Sequence, residues 1–284
     1  MSRRAAGLVA GPVAGLVAVA LLALSGCGTV GDAPPGGAER GPSEPGDPGL
    51  TGTLTVLAAA SLTDVFTGFE ERLEGANPQL EVRLSFAGSS ALATQVLQGA
   101  PADVLATADE AQMARVVEAG LASDPQVFAG NSLLLVVPPG NPGGIAVPSA
   151  EAEPPSLAEY LDDEAIVAVC APEVPCGAAA ATVLDAAGLS GAPDTYEDDV
   201  RAVLTKVQLG EVDAGLVYHS DVIAAGDGLD FYGFAESELA FNRYPVASLS
   251  GAANPDAARA FVDLVLSDEG QEALLRAGFI LQTR

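Results

Sequence analysis

From Leu54 onward, short apolar runs alternate with longer stretches in which apolar residues recur at helical spacing. Val82, Leu84 and Phe86, for example, alternate with polar side chains, which is the two-residue period of a half-buried strand. The pattern predicts strands at Leu54–Ala59, Val82–Phe86, Asp103–Ala106, Leu133–Val137, Ile166–Cys170, Ala214–Tyr218 and Val246–Ser248. It predicts helices at Leu62–Leu73, Ser90–Gln98, Glu110–Ala119, Gly177–Ala187, Val200–Leu209, Asp256–Leu266 and Gln271–Arg276. Strands interleaved with such helices predict an α/β fold with largely parallel sheets.

The length of the folded part predicts more than one sheet. The chain has 284 residues, and the patterned part exceeds what one open sheet comfortably holds. We therefore expect two α/β lobes, with lobe I formed by residues 51–130 and 246–284 and lobe II by residues 131–245. The chain would cross between them near Asn131 and Tyr244, and the lobes would close over a ligand by hinge motion. Ligands of such folds lie where strand C-termini and helix N-termini converge on the cleft.

The first residues have the features of an export signal. Arg3 and Arg4 precede an uncharged, mostly apolar stretch, Ala5–Leu24, which is followed by small residues. A basic start, an apolar core and a small-residue cleavage site define a secretory signal peptide, here residues 1–26. Alternatively, the apolar stretch could remain as a membrane anchor. In both cases the rest of the chain lies outside the cytoplasm.

The end of this signal carries a candidate lipidation site. The segment Leu24-Ser25-Gly26-Cys27 resembles the bacterial lipobox, which implies cleavage before Cys27 and acylation of its thiol. Residues 27–50 are rich in glycine and proline with little to bury, and we predict that they form a flexible tether. The expected location is therefore the outer face of the cell membrane, through the lipid anchor, or the periplasm.

The charge balance narrows the possible partners. The chain carries 12 basic and 38 acidic residues, a formal net charge of −26, and Lys206 is its single lysine. Nucleic-acid binding requires clustered Lys and Arg for the phosphates, so this class is nearly excluded. The acidity indicates a solubility or salt-tolerance adaptation, with a cation-binding protein as the alternative.

The cysteines fit an oxidising compartment. Besides Cys27 the chain contains Cys170 and Cys176, six residues apart, for which a disulfide is the default outside the cytoplasm. A zinc site is improbable because a closed zinc site needs four ligands and His219 is the only histidine. No metal bound directly by side chains is expected.

Several predicted strand-to-helix junctions carry serine or other small residues, at positions 58–64, 86–91, 174–178 and 198–201. A helix N-terminus presents unpaired N–H groups and the positive end of a dipole, so several converging ends form an anion site without basic residues. Simpler roles are open for each residue. Ser61 with Asp64 has the form of a capping box, Ser89 can be an N-cap, and Asp64, Asp198 and Asp199 can stabilise helix dipoles.

Six segments in register carry a resemblance to a known family. They are Thr55–Thr63, Phe86–Ser90, Gly99–Val104, Gly130–Leu133, Val174–Gly177 and Gly215–Tyr218. Together they resemble the periplasmic molybdate-binding proteins of ABC transporters, over Leu54 to Phe279. The resemblance implies a two-lobed fold like the type II periplasmic binding proteins, each lobe a mostly parallel sheet flanked by helices. It also implies a monomer that binds molybdate or tungstate, delivers it to an ABC permease, and has no cofactor and no enzymatic activity.

The resemblance also assigns the ligand-binding residues. The family holds a bare tetrahedral dianion with neutral donors, which by position would be Ser61, Ser89, Cys176, Val200 and Tyr218. The two serines would donate hydroxyl and backbone N–H, Cys176 and Val200 backbone N–H, and Tyr218 its phenolic O–H. Two positions depart from the family, because Cys176 stands where alanine is usual and Gly88 where serine is usual.

Two other functions, a metal receptor and an enzyme, are each supported by a few residues of the sequence. A receptor for Fe(III) or another metal of the same fold could use Tyr218, Tyr232, Tyr244 and His219, although these tyrosines are dispersed in the sequence. An enzyme could combine Ser61 and His219 with an aspartate as a triad, but the chain lacks a G-x-S-x-G elbow.

Overall fold

A computed structural model describes residues 49–149 and 154–281. The predicted signal peptide, Cys27 and nearly all of the predicted tether lie outside these residues. The strands are β1 Thr51–Ala59, β2 Gln79–Ala87, β3 Val104–Ala106, β4 Gln126–Asn131, β5 Leu133–Val137, β6 Val167–Cys170, β7 Pro193–Glu197, β8 Ala214–Tyr218, β9 Asp230–Tyr232 and β10 Asn242–Ser248. The helices are α1 Thr63–Ala76, α2 Ser89–Leu97, α3 Glu110–Glu118, α4 Pro175–Ala186, α5 Val200–Leu209, α6 His219–Ala225, α7 Pro255–Leu266 and α8 Asp268–Arg276.

The first sheet has the strand order β2-β1-β3-β10-β4. Strand β1 is parallel to β2 and β3, whereas β10 is antiparallel to β3 and β4. Alternate residues of β1 point to opposite faces of the sheet, and helices pack against both faces. Val56 belongs to a buried cluster with Phe66 and Phe261, and Leu57 to a separate one with Leu92.

The second sheet has the strand order β7-β6-β8-β5-β9. Strand β6 is parallel to β7 and β8, and β5 is antiparallel to β8 and β9. Its buried cluster includes Val183 of α4 and Val203 of α5, and also Ala60 from the turn after β1 of the first sheet. The turn after β1 therefore packs against the second sheet's core. We call the first sheet with α1–α3, α7 and α8 the first unit, and the second sheet with α4–α6 the second unit.

The predicted α/β class is confirmed, with one difference in the sheets. Each sheet is mixed, with two parallel and two antiparallel strand pairs, and is not mostly parallel. The antiparallel strands β4, β5 and β10 border the segments where the chain passes between sheets, once at Ser132 and once between Tyr232 and Asn242. The exact lobe boundaries given above stay a prediction.

The predicted strands and helices all occur, most of them with shifted ends, but four strands and helices were not predicted. These are β4, β7, β9 and α6, and β10 begins at Asn242 before its predicted start at Val246. Within residues 49–149 and 154–281, each helix is too short or too polar to cross a membrane.

Candidate functional site

A small cavity lies between the two units, with a volume of about 220 Å³ including its opening to solvent. It is lined by Ala59, Ala60, Ser61, Ala87, Gly88, Ser89, Ala108, Val174, Pro175, Cys176, Asp199, Val200 and Tyr218. The structure therefore brings all five residues of the predicted binding set to one cavity. They come from the N-terminal ends of four helices and from the turn after β1.

Ser61 lies in a 3-10 turn, Ala60–Leu62, that connects β1 to α1. Its hydroxyl oxygen lies 3.0 Å from the hydroxyl oxygen of Tyr244 on β10. The capping box predicted for Ser61 and Asp64 is wrong, because α1 begins at Thr63 and Leu62 occupies the N-cap position. Ser61 is thus a buried hydroxyl in a side-chain pair, and not a helix cap.

Ser89 is the first residue of α2 and is almost completely buried. Its hydroxyl oxygen accepts a hydrogen bond from the Ala108 backbone N–H at 2.9 Å. A hydroxyl that accepts one hydrogen bond still has its own proton to donate. The N–H groups of Ala91 and Leu92 bond to the carbonyl of Gly88, which leaves those of Ser89 and Ser90 without a partner in the described part of the chain.

Cys176 lies in the first turn of α4. Pro175 has no N–H, and the N–H groups of Gly177 and Ala178 bond to the Val174 carbonyl at 3.0 and 2.9 Å. The N–H of Cys176 is therefore the unpaired amide of this turn among the described residues. The predicted disulfide is present, with Cα atoms of Cys170 and Cys176 5.6 Å apart, so it joins the end of β6 to the start of α4.

Val200 is the first residue of α5. The Asp199 carboxylate caps this helix by accepting from the N–H groups of Arg201 and Ala202 at 2.8 and 3.0 Å. The N–H of Val203 bonds to the Asp199 carbonyl, which leaves the N–H of Val200 unpaired within residues 154–281. Asp199 lines the cavity, but its carboxylate caps the helix as the N-cap residue.

Tyr218 ends β8 and precedes α6, with only 1% of its surface exposed. Its hydroxyl finds no hydrogen-bond partner of acceptable geometry among the described residues. Burial, and then the neighbouring Tyr244 and carboxylates, raise the pKa of Tyr218 well above its ordinary value. The hydroxyl therefore keeps its proton, and the Tyr218 residue lines the cavity.

Two charged residues support the backbone at these positions. Asp221 of α6 is fully buried and accepts from the Tyr218 N–H at 3.1 Å. Arg201 of α5 places Nε 2.8 Å from the Asp221 carboxylate and also pairs with Asp64 of α1, across the cleft. Burial raises the pKa of Asp221 to about 7, although Arg201 and the hydrogen bond from Tyr218 oppose this shift.

The residues considered for a metal receptor or for a catalytic triad do not all meet at one site. Tyr218 and Tyr244 are neighbours with ring centroids 6.0 Å apart, but Tyr232 packs against Tyr160, 5.5 Å away. His219 contacts the Gly278 carbonyl through Nδ1 at 2.7 Å. Within the described ranges, no three His, Cys, Asp or Glu side chains form a group suited to a metal ion.

Sequence reasoning did not assign four residues that shape this site. They are Tyr244, which bonds to Ser61; Ala108, which bonds to Ser89; and the pair Arg201 and Asp221. The sequence indicates Tyr244 only as a possible metal ligand and as a position near a crossing between lobes, and the other three have no local sequence signal that distinguishes them.

Comparison with known proteins places the chain in a family. The family model described as bacterial extracellular solute-binding protein matches residues 54–280. The molybdate-binding protein ModA of Mycobacterium tuberculosis (strain ATCC 25618 / H37Rv) is 41% identical over 228 residues, covering 80% of this chain and 84% of that protein. The molybdate-binding protein ModA of Escherichia coli (strain K12) is 32% identical over 244 residues, covering 81% and 90%.

A solved structure supports the same fold. The periplasmic molybdate-binding protein of Azotobacter vinelandii matches with a TM-score of 0.65 and 18% identity, covering 81% of this chain and 100% of that one. Together with the sequence matches, this likeness confirms the family resemblance that the six short segments indicated. The chain belongs to the bacterial extracellular solute-binding protein family.

Proposed function

We propose that this chain captures molybdate or tungstate outside the cytoplasmic membrane and delivers it to an ABC importer. The observation that carries the proposal is a small cavity lined by the first turns of α2, α4 and α5, in which the amides of Ser89, Cys176 and Val200 have no partner among the described residues. Leaving a buried donor unpaired costs about 1–3 kcal/mol, and an anion that accepts from it removes this cost. The relatives named as molybdate-binding proteins indicate the type of anion.

The proposed ligand shell consists of neutral donors. Ser61 and Ser89 would donate hydroxyl and backbone N–H, Cys176 and Val200 their backbone N–H, and Tyr218 its hydroxyl. Support comes from the first turns of α2, α4 and α5, in which these amides have no other partner within the described ranges. Each hydrogen bond to a charged partner contributes about 1.5–3 kcal/mol net.

A net charge of −26 does not conflict with anion binding. Most of these charges lie on the surface and act beyond a Debye length, which is about 8 Å at physiological salt. Direct hydrogen bonds act at contact distance inside a low-dielectric cavity and outweigh this screened repulsion. The surface charge therefore slows capture more than it weakens the closed complex.

The same donor shell selects among anions. A protonated phosphate would bring its own O–H, which requires an acceptor that a shell of N–H and O–H groups supplies poorly. Sulfate is a dianion of smaller size, so the cavity must exclude it by fit. Molybdate and tungstate match in charge and shape, and we propose both as ligands.

The protein performs no chemistry in this proposal and needs no cofactor. It acts as a monomer made of two lobes, is held at the membrane by a lipid on Cys27, and passes the anion to a permease. Residues 27–50 would supply the length that lets the folded part reach this permease.

Calorimetric titration of the lipid-free protein tests the ligand. Molybdate and tungstate are expected to give saturable heat and to raise the melting temperature, since a ligand at 100 times its Kd adds about 2.7 kcal/mol to stability. Sulfate and ferric citrate serve as comparison ligands. Flat signals with both dianions, or saturable heat with ferric citrate alone, would overturn the proposal.

The lipid anchor has a separate test. Cells expressing the full chain are fed an alkyne-tagged fatty acid, and the protein is isolated from membranes and medium. The wild-type chain is expected to carry the tag and to fractionate with membranes, whereas Cys27→Ala loses the tag. A tagged Cys27→Ala protein would contradict acylation at this thiol.

A further inference from the structure

One arginine of the described part of the chain differs from its other basic residues, because it forms no ion pair. The residues that pair with a carboxylate are Arg72, Arg83, Arg201, Lys206, Arg243, Arg259 and Arg276. Arg115 of α3 is exposed and pairs with no carboxylate among the described residues. In a chain with a net charge of −26, Arg115 therefore carries a charge that no close acidic partner neutralises.

Arg115 lies in a groove that adjoins the anion cavity, which we call the entrance groove. The entrance groove has a volume of about 1860 Å³ including its opening to solvent. The residues that line both the entrance groove and the cavity are Ala87, Gly88, Val174 and Asp199. The acidic residues that line the groove are Asp109, Glu173, Asp198 and Asp199. Among the described residues, Arg115 is thus the one positive charge in the wall of this groove.

Two neutral side chains hold the guanidinium of Arg115 in place. Its Nη1 donates to Oε1 of Gln112 at 2.6 Å, and its Nη2 donates to Oγ1 of Thr94 at 3.4 Å. Thr94 follows Ser89 by five residues in α2, which is about 8 Å along the helix axis. The guanidinium therefore lies on the order of one Debye length from a proposed donor, too far away to contact an anion held there.

The guanidinium of Arg115 can still bind an oxyanion. It has more N–H donors than the two that Gln112 and Thr94 use, and its charge does not depend on pH in the ordinary range. Two of the acidic residues in the groove, Asp109 and Asp199, accept hydrogen bonds from the first turns of α3 and α5, which offset part of their charge. A dianion that reaches the groove is therefore attracted most strongly at Arg115.

We infer that Arg115 is a first-contact site for the oxyanion, which draws the anion into the entrance groove before the neutral donors of the cavity bind it. The inference rests on the proposed function, because it concerns the same ligand. A charge at this distance from the donors raises the rate at which the anion is captured, and has less effect on the rate at which the bound anion leaves.

The test compares Arg115→Gln with wild type and with Arg259→Gln. Each variant removes one positive charge from an exposed site, but Arg259 lies in α7 and lines neither the groove nor the cavity. Calorimetry measures molybdate affinity, and a chase of radiolabelled molybdate with unlabelled anion measures dissociation; together they give the association rate. Arg115→Gln is expected to slow association by about three- to tenfold at low salt and to leave dissociation unchanged. Arg259→Gln is expected to change neither rate.

Salt and further variants distinguish an effect of charge from an effect of shape. At about 1 M salt the Debye length falls to about 3 Å, so the difference between wild type and Arg115→Gln should nearly disappear. Arg115→Lys keeps the charge without the planar guanidinium and should associate at close to the wild-type rate. Arg115→Glu reverses the charge and should associate more slowly than Arg115→Gln.

The possible outcomes separate this inference from the proposed function. Equal association rates of wild type and Arg115→Gln at low salt would overturn the inference and leave the proposed function standing. Faster dissociation with unchanged association would also overturn it, because Arg115 would then hold the bound anion. An equal loss in Arg259→Gln would trace the effect to net charge and contradict a local role. Failure of wild type to bind any tetrahedral dianion would remove the proposed function, and this inference with it.

Discussion

The Nε atom of Arg201 lies 2.8 Å from the carboxylate of Asp221, a residue with no exposed surface. The same carboxylate accepts the N–H of Tyr218 at 3.1 Å, and Arg201 follows Val200 directly. One ion pair therefore links the backbone of two proposed donors on different helices. Its strength varies with pH, since burial raises the pKa of Asp221 to about 7.

The first prediction concerns stability and pH. The folded chain binds the Asp221 proton more tightly than the unfolded chain does. The stabilisation that this proton gives to the folded chain is therefore complete below about pH 4. The contribution is lost as pH rises to about 7, by at most about 1.4 kcal/mol per pH unit. Asp221→Asn has no such proton and can still accept the Tyr218 N–H. Its stability relative to wild type should therefore rise between pH 4 and pH 7 and stay level above.

Urea unfolding of both proteins at pH 4.5, 6 and 8 measures this difference. Comparing the two proteins at each pH cancels the titration of the other groups. Parallel stability profiles would show that Asp221 keeps its ordinary pKa in the folded chain.

A second prediction is that removing the Tyr218 hydroxyl and removing the Ser89 hydroxyl have different effects on stability. Tyr218→Phe removes a buried hydroxyl that makes no hydrogen bond of acceptable geometry with the described residues, so ligand-free stability should stay the same or rise. Molybdate binding should weaken by about 10- to 100-fold, the value of one hydrogen bond to a charged ligand. Thermal melting without ligand and calorimetry with molybdate check the two effects. Unchanged affinity would remove Tyr218 from the ligand shell.

The matched variant Ser89→Ala should behave differently. The Ser89 hydroxyl accepts the Ala108 N–H, so its removal leaves this buried donor unpaired at a cost of about 1–3 kcal/mol. Ser89→Ala should lower both the molybdate affinity and the ligand-free melting temperature, and an unchanged melting temperature would contradict the role of this contact.

The sequence predicts a strand or helix well when that element is deeply buried. Strands β5 and β8 form uninterrupted apolar runs, and both were predicted at their observed positions. The strands β7 and β9, which were not predicted, lie at the two edges of the second sheet. Each is partly exposed to solvent, and polar residues interrupt its apolar pattern. Helix α6 has seven residues, which is too short for a recognisable helical period.

Some residues of the site can likewise be predicted from the sequence, and others cannot. Four of its proposed donors lie in short segments that the local sequence indicates as strand-to-helix junctions, whereas Tyr218 follows from the family resemblance alone. Their supporting contacts join distant parts of the chain, as between Ser61 and Tyr244, 183 residues apart, and between Ser89 and Ala108. One sequence contains no information on which distant residues meet, so these contacts required the structure.

A third prediction concerns Asp199, whose carboxylate is the one acidic group among the described residues that line the cavity. Asn caps a helix as well as Asp does, so Asp199→Asn should keep the bonds to Arg201 and Ala202 while removing a negative charge. Repulsion from a dianion should fall by on the order of 1 kcal/mol, about fivefold in affinity at low salt. Calorimetry at low and high salt should show the gain shrinking as salt screens the charge. Weaker binding by Asp199→Asn would indicate that the carboxylate supports the site.

The last prediction concerns the disulfide, which closes a short loop between β6 and α4. Both cysteines are buried, and the bridge should contribute about 2 kcal/mol by restricting the unfolded chain. It also fixes the first turn of α4, where the N–H of Cys176 lies. The double variant Cys170→Ala/Cys176→Ala should therefore unfold at lower urea concentration and bind molybdate several-fold more weakly, because the unconstrained turn must be ordered on binding. Since the backbone N–H at position 176 survives the substitution, binding should weaken without being abolished. Unchanged affinity with reduced stability would mean that the disulfide stabilises the fold without positioning the donor.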